Sequence, residues 1–436
     1  MKKLLVLAVL ALAPGLLGLG GGQAQAAGTT WYVATTGDDS NDCLSPATPC
    51  LTIQAAIAKA SSSDTVHLGP GTYSENVAID RSLTLQGENR QTTVINGSGS
   101  GYVVYVAASH TTITGVKVTN GENGVGFPNQ AGIHDVTISD VIITSNDAFG
   151  ILGDISYPAI DANHVIEDCV ISNNGAGAFY VHRFQKSSIR NCEVFGNGYG
   201  HGAWGQRGLQ PASTSDVLIS DNTVHDNAGA GIVLDHVSDS IIEKNNVYSN
   251  DVGIELVGGW GSDNAIRDNL VQDNGCGICA SDTAPHGSAS RTYHNELIDN
   301  TVQAYDPEGV ATWDDGYPNG GNYWSDYAGV DGYSGVNQDE PGSDGIGDTP
   351  YVLVNNQDNY PLMAPTAPTP TPTPTPVTPT PPAAVGGIVE LQRGPSAPSA
   401  QHSGSAAPPY AALASAAAAA LALAAGGWYA RRRWLR

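Results

Sequence analysis

Methionine is nearly absent from this 436-residue chain, phenylalanine is scarce and only 14% of residues are charged. Two methionines, Met1 and Met363, leave a copper site without the soft sulfur ligands that select that metal, which argues against copper. Basic residues are also few, 18 against 42 acidic, giving a net charge of -24. Nucleic acid is thereby excluded as a partner, because its binding rests on neutralising phosphates with Lys and Arg. Cations and neutral sugars are easier partners for such a surface. A sustained helical period is missing between Thr111 and Gln303, where strand-like runs such as Ile232-Val233-Leu234 are only a few residues long, so this region reads as all-β.

The ends of the chain give its address. Met1-Lys2-Lys3, an apolar run from Leu4 and the small-residue pattern Ala24-Gln25-Ala26 read as a signal peptide over 1–27. Residues 410–430 are Ala- and Leu-rich and uncharged, and Arg431, Arg432, Arg433 and Arg436 follow, which predicts a transmembrane anchor with a basic cytoplasmic tail over 431–436. A sorting signal that is later cut is the alternative. Either way the body faces outward, as a secreted protein anchored at the cell surface. Between body and anchor, 364–409 is Thr/Pro-rich and predicts an extended stalk.

In an exported chain cysteines oxidise. Cys43 and Cys50 bracket a short loop and are expected to pair; Cys276 and Cys279 form either a local disulfide or two unlinked thiols.

Hydrophobic residues recur at coil-like intervals. Ile113, Ile138, Ile166, Ile189, Ile219, Ile242, Ile266 and Leu297 serve as anchors. Five residues after each stand Val118, Ile143, Ile171, Val194, Val224, Val247, Val271 and Val302, always β-branched. Eight residues after six of them stand Asn146, Asn174, Asn197, Asn227, Asn250 and Asn274. A Gly followed by an apolar residue comes shortly after, as in Gly231-Ile232 and Gly253-Ile254. Repeats of this size that cannot bury their apolar faces alone do so by stacking. The reading is an all-β right-handed parallel β-helix, a solenoid, with repeats over 111–305, and with stacked asparagines bonded along the axis as amide ladders.

Three residues after the anchors the series is Val116, Val141, Cys169, Cys192, Asn222, Asn245, Asn269 and Asn300, so one column turns from apolar to amide, and Cys169 and Cys192 are expected as buried thiols. Exposed ends of such a stack recruit other chains unless covered. Residues 28–110 supply the N-terminal cap and first coils, with a short amphipathic helix over Thr52 to Ala60 across the opening. Residues 306–363, rich in Gly, Asp, Tyr and Trp, form the C-terminal cap.

Two stretches resemble a known family. Trp31-Tyr32-Val33, Thr52-Ile53-Gln54-Ala55-Ala56-Ile57 and Gly69-Pro70-Gly71-Thr72-Tyr73 resemble the opening of secreted pectate-lyase-like β-helix proteins. Gly321-Asn322-Tyr323-Trp324-Ser325-Asp326-Tyr327, Asp344-Gly345-Ile346-Gly347-Asp348-Thr349-Pro350-Tyr351 and Asp358-Asn359-Tyr360-Pro361-Leu362 resemble the end of NosD-like β-helix proteins. The resemblance implies a carbohydrate-binding or sugar-hydrolase type of repeat, and NosD itself implies a periplasmic accessory role in copper insertion.

Counting from the Gly-apolar signal puts Asp154, His182 and Asp235 at comparable places on three coils, with Arg183 and His236 adjacent. Asp154, His182, Asp235 and His236 are the candidate catalytic residues of a polysaccharide lyase or glycoside hydrolase; Arg183, Trp204 and Trp260 are the candidate substrate contacts. Gly200-His201-Gly202 is similar to a polygalacturonase motif, but the preceding coil reads Ala176-Gly177-Ala178-Phe179-Tyr180 and lacks the paired aspartates, which argues against galacturonan hydrolysis. Asp339, Asp344 and Asp348 stand among glycines and offer oxygen ligands of the type Ca²⁺ takes. A rigid rod on a stalk, binding polysaccharide or neighbouring surface components, is the preferred reading, and the enzyme is the alternative.

Overall fold

The computed structural model describes residues 28–128, 132–153, 161–200, 206–257, 263–280 and 290–365. The expected signal peptide, the transmembrane anchor, the basic tail and all of the stalk beyond 365 lie outside the described residues. Among the described residues no helix is long and apolar enough to cross a membrane.

The body is a parallel β-solenoid. Each coil contributes one strand to each of three long sheets, as Leu83–Gly87, Thr93–Asn96 and Tyr102–Val106 do for sheets I, II and III. Sheet I has twelve strands, sheet II eleven and sheet III ten. Every pairing within the three is parallel, and strand order follows the chain coil by coil. The β-branched positions explain this: Val118, Ile143, Ile171, Val194, Val224, Val247 and Val271 stack in register in sheet II, all fully buried. The isoleucines from Ile113 to Ile266 do the same in sheet I.

The last repeat departs from the spacing argument. Ile266 pairs with Thr292, whereas Leu297 continues the sheet II file below Val271. Val302, expected inside, lies on sheet III opposite Cys276 and is 44% exposed. The anchor series slipped there by one corner, because Thr292 is a polar residue at a core position and does not mark itself as apolar.

Both asparagine columns are ladders. In one, the side-chain Nδ2 of Asn146, Asn174, Asn197, Asn227, Asn250 and Asn274 each donates to the Oδ1 of the next, ending on Asn300, at 2.9 to 3.2 Å. In the other, Asn222, Asn245, Asn269, Asn295 and Asn322 bond at 2.9 Å. Asn300 thus belongs to the first ladder and Asn295 takes its expected place in the second.

The residue before every ladder asparagine except Asn322 is held at positive φ, as in Asp221, Asp226, Asp268, Asp273 and Asp299. Among the described residues, eleven aspartates occupy such left-handed corners, where Asp and Asn are the best tolerated side chains after glycine. Much of the acidic surplus is therefore a consequence of backbone geometry at the corners.

The helix Ile53–Lys59 covers the N-terminal opening, with Ile53, Ala56 and Ile57 buried. Its free amides are satisfied by Thr52, whose Oγ1 accepts from Ala55, and by the Glu75 carboxylate, which accepts from Ile53 at 2.8 Å and Gln54 at 3.1 Å. Cys43 and Cys50 are joined, as are Cys276 and Cys279, while Cys169 and Cys192 are buried and free.

One corner column holds a buried histidine. His164 stacks between Phe127 and Phe184, and its Nδ1 accepts the Val136 amide at 3.2 Å. Burial pushes its pKa down to about 4. The folded value lies below the ordinary 6.5, so its contribution to stability is present above pH 6.5 and is lost as pH falls toward 4. Asn264 occupies the same column and accepts the Ser240 amide in the same way. His164→Asn is therefore expected to fold and to remove roughly 2 kcal/mol of the stability loss between pH 7.5 and 5, read from urea melts at the two pH values.

Candidate functional site

Side chains alternate along each sheet III strand, so residues flanking the buried file point away from the core. On Gly177–His182, Phe179 and Val181 are buried inside, and Tyr180 and His182 face outward. His182 pairs with Ala212 on the next coil, and Ala212 with Asp235 on the one after. The register thus confirms one file for His182 and Asp235, with Ala212 intervening. At a strand spacing of about 4.8 Å the two lie on the order of 10 Å apart.

Three outward positions of this face are nonetheless buried. Gln210, beside Tyr180 in register, is 3% exposed; Ala212 is 0% exposed, and so is Val233. Two side-chain pairs stand beside these buried positions. His182 Nε2 lies 2.6 Å from the Tyr180 hydroxyl, with the rings edge to face. His236 Nδ1 lies 2.7 Å from Asp235 Oδ1, and Gln210 Nε2 donates to Asp235 Oδ2 at 3.0 Å. His236 reaches back over its neighbour because its backbone is left-handed, at φ 55°. Arg183 takes the equivalent corner at φ 58°, and its amide donates to the Ala212 carbonyl at 2.9 Å. Farther along the face, Arg207 and Glu255 approach to 3.9 Å.

The Asp235 carboxylate already has both oxygens engaged. The arrangement offers spaced donors and acceptors along a wall, suited to hydroxyl-rich chains. Asp154, Trp204 and Trp260 lie outside the described residues. Gln210 and Tyr180 were missed by the sequence argument; Gly208-Leu209 is a further Gly-apolar signal that would have put Gln210 on this face.

The carboxylates of the acidic cap loop accept backbone and side-chain amides. Asp348 accepts the amides of Gly332 and Tyr333, and Asp344 accepts those of Ile346 and the Gln338 side chain, all at 3.0 to 3.2 Å. Asp331, absent from the sequence-based set, accepts Asp344 and Gly345 amides. Asp339, Asp344 and Asp348 do not bring ligand atoms together: among the described residues, the grouping of three that does so lies elsewhere. Asp344 and Asp348 serve here as ties between turns.

Residues 102–259 match the family model for a right-handed beta helix region, and residues 205–329 match that of the periplasmic copper-binding protein NosD. The parallel β-solenoid is thus similar to right-handed beta helix proteins over its middle coils and to NosD over its later ones. It is similar to a cell surface glycoprotein of Methanothermus fervidus, 26% identical over 63% of this chain and 50% of the relative. A tail spike protein of Salmonella phage epsilon15 is 33% identical over 25% of this chain and 11% of its own length. The chain thus spans half or less of the curated relatives it matches. Among solved structures, an alginate lyase from Paenibacillus has a TM-score of 0.49 at 15% identity, covering 65% of this chain and 99% of that one. Pectate lyase Pel9A has 0.46 at 16% identity, covering 70% and 82%.

Proposed function

We propose that this protein is displayed at the cell surface and binds polysaccharide, or glycans of neighbouring surface components, along the outward face of sheet III. The observation that carries the reading is the row of polar and aromatic side chains on this face, the Tyr180–His182 pair and the Gln210–Asp235–His236 set. Such a wall can hydrogen-bond successive hydroxyls while the ring of Tyr180 offers an apolar face, a combination suited to neutral or acidic sugars. The export signal expected from the sequence and the similarity to a surface glycoprotein support the address. With two methionines in the chain, a sulfur-rich copper site is not part of the proposal.

One observation favours an enzyme instead: a His–Asp pair fixes an imidazole for proton transfer. The full chain on a glycan panel separates the readings. Retention on at least one polysaccharide without new reducing ends or unsaturated products is expected, and Gln210→Ala and Asp235→Asn each weaken it about tenfold by removing one hydrogen bond to a sugar or its partner. Cleavage by the wild type that Asp235→Asn abolishes would replace binding by lyase or hydrolase action, and Asp235→Asn retention equal to wild type removes this face from the account.

A further inference from the structure

At one corner of the solenoid, two imidazoles meet one carboxylate. His110 and Asp135 occupy successive places in the column of left-handed corners that continues through Asn163, Lys186, Asp216, Asp239 and Asp263, with φ of 54° and 57°. His134 precedes Asp135, and its Nδ1 lies 2.7 Å from Asp135 Oδ2. His110 Nδ1 approaches the same oxygen to 3.4 Å. The two rings meet edge to face at 4.9 Å. All three ligand atoms lie within 4.8 Å of one another, and all three residues are exposed.

The backbone beneath them is fixed. His110 donates its amide to the His134 carbonyl at 3.0 Å, and His134 donates to Ser109 Oγ at 3.1 Å. Ser82 Oγ donates to the His110 carbonyl, and the Asp135 amide donates to the Ala162 carbonyl at 3.0 Å. Three ligands are thus held by ladder bonds between coils, the kind of rigid support a metal site needs.

The geometry points to a surface site for one borderline divalent cation of the zinc class, bound by His110, His134 and Asp135 with outer positions left to water. Tetrahedral ligation at about 2.1 Å places neighbouring ligand atoms roughly 3.4 Å apart, which is the His110–Asp135 distance. The His134–Asp135 contact, at 2.7 Å, is shorter than that separation, so the His134 side chain shifts outward as the ion binds. Two imidazoles and one carboxylate suit zinc and exclude the hard ions that take oxygen alone. None of the three residues lies in the stretch that matches the NosD family.

The test uses the full chain titrated with Zn²⁺, and with Co²⁺ as the spectroscopic probe. Wild type is expected to bind one more equivalent than His134→Ala, to show the intense visible bands of low-coordinate Co²⁺, and to gain thermal stability with Zn²⁺. His110→Ala, His134→Ala and Asp135→Asn each weaken that equivalent at least about tenfold. His225→Ala is the control, since His225 also lies 2.7 Å from a carboxylate, Asp226, but has no second imidazole beside it, and it leaves the equivalent in place. The three site residues are exposed, so the variants keep the fold, which circular dichroism verifies. Zinc binding unchanged in His110→Ala and His134→Ala, or a Co²⁺ spectrum like that of the hydrated ion, overturns the site.

Discussion

Asn227→Ala is expected to cost about 4 kcal/mol, a large effect for one uncharged side chain. Asn227 sits mid-ladder and is 2% exposed. Its Oδ1 accepts both the backbone amide and the Nδ2 of Asn197, and its Nδ2 donates to Val194 O, His225 O and Asn250 Oδ1. Removing it orphans the buried Asn197 amide, at about 1–3 kcal/mol, and deletes several neutral bonds at about 1 kcal/mol each. The Asn250 side-chain oxygen still accepts the residue 227 amide, which limits the total. Asn227→Asp makes the sharper comparison. It restores the acceptor for Asn197 but sets a second acceptor against Asn250 Oδ1, and burial raises its pKa, so this variant recovers stability as pH falls. Urea unfolding at pH 5 and pH 8 measures both. In a solenoid, where each coil contacts only its neighbours, the loss should also split the transition at the mutated coil. If Asn227→Ala unfolds within 1 kcal/mol of wild type, the ladders are ornament and the β-branched files alone hold the stack.

At the far end, stability depends on pH through one carboxyl. Asp358 is completely buried; its Oδ2 accepts from the Asn322 amide at 2.7 Å and Trp324 Nε1 at 2.9 Å, and its Oδ1 from the Tyr360 amide at 3.0 Å. It thereby terminates the second asparagine ladder and pins the Trp324 ring, which stacks on Tyr351 at 4.1 Å. Burial is the largest influence on it and pushes the pKa up to about 7, against the three donors. The folded value is raised above the ordinary 3.9, so the group's contribution is present at acid pH and is lost as pH rises through about 7. Wild type is therefore expected to exceed Asp358→Asn by roughly 3 kcal/mol more at pH 5 than at pH 8. Because the comparison is a difference, His164, which acts in the opposite direction, cancels. A gap between the two proteins that is independent of pH would show that Asp358 stays ionised in the cap.

The coils were legible because burial is one-dimensional here. Val224, Val247 and Val271 each face a dry interior, so hydrophobicity marks them at a near-constant interval, and the asparagine that follows is fixed by the need to satisfy amides at a tight corner. Where a core position is polar, as at Thr292, the count slips, and Leu297, Asn300 and Val302 were read one corner out of place. The corner aspartates were visible as composition but not as geometry, since a positive φ leaves no apolar signature.

The candidate site was legible in part. His182 and Asp235 share a file as the Gly-apolar count implied, because a strand's two-residue period carries from the inner face to the outer one. Their partners were hidden: Gln210 reaches Asp235 across 25 residues, and Tyr180 bonds His182 by side-chain direction alone. The acidic cap loop was legible as composition, whereas its bonds to the amides of Gly332, Tyr333 and Ile346 were not, because turn geometry sets them.

By itself the sequence determined the repeat, the inner files, the amide ladders and the cap helix, because each follows from residues that must leave water or satisfy amides once per coil. Tertiary structure alone decided what meets on the outside: His110 with His134 and Asp135, Gln210 with Asp235, Asp358 with Trp324. Outward side chains are under no burial constraint that leaves a period, and coils differ in length, so only the stacked register brings residues some 24 to 34 positions apart into contact.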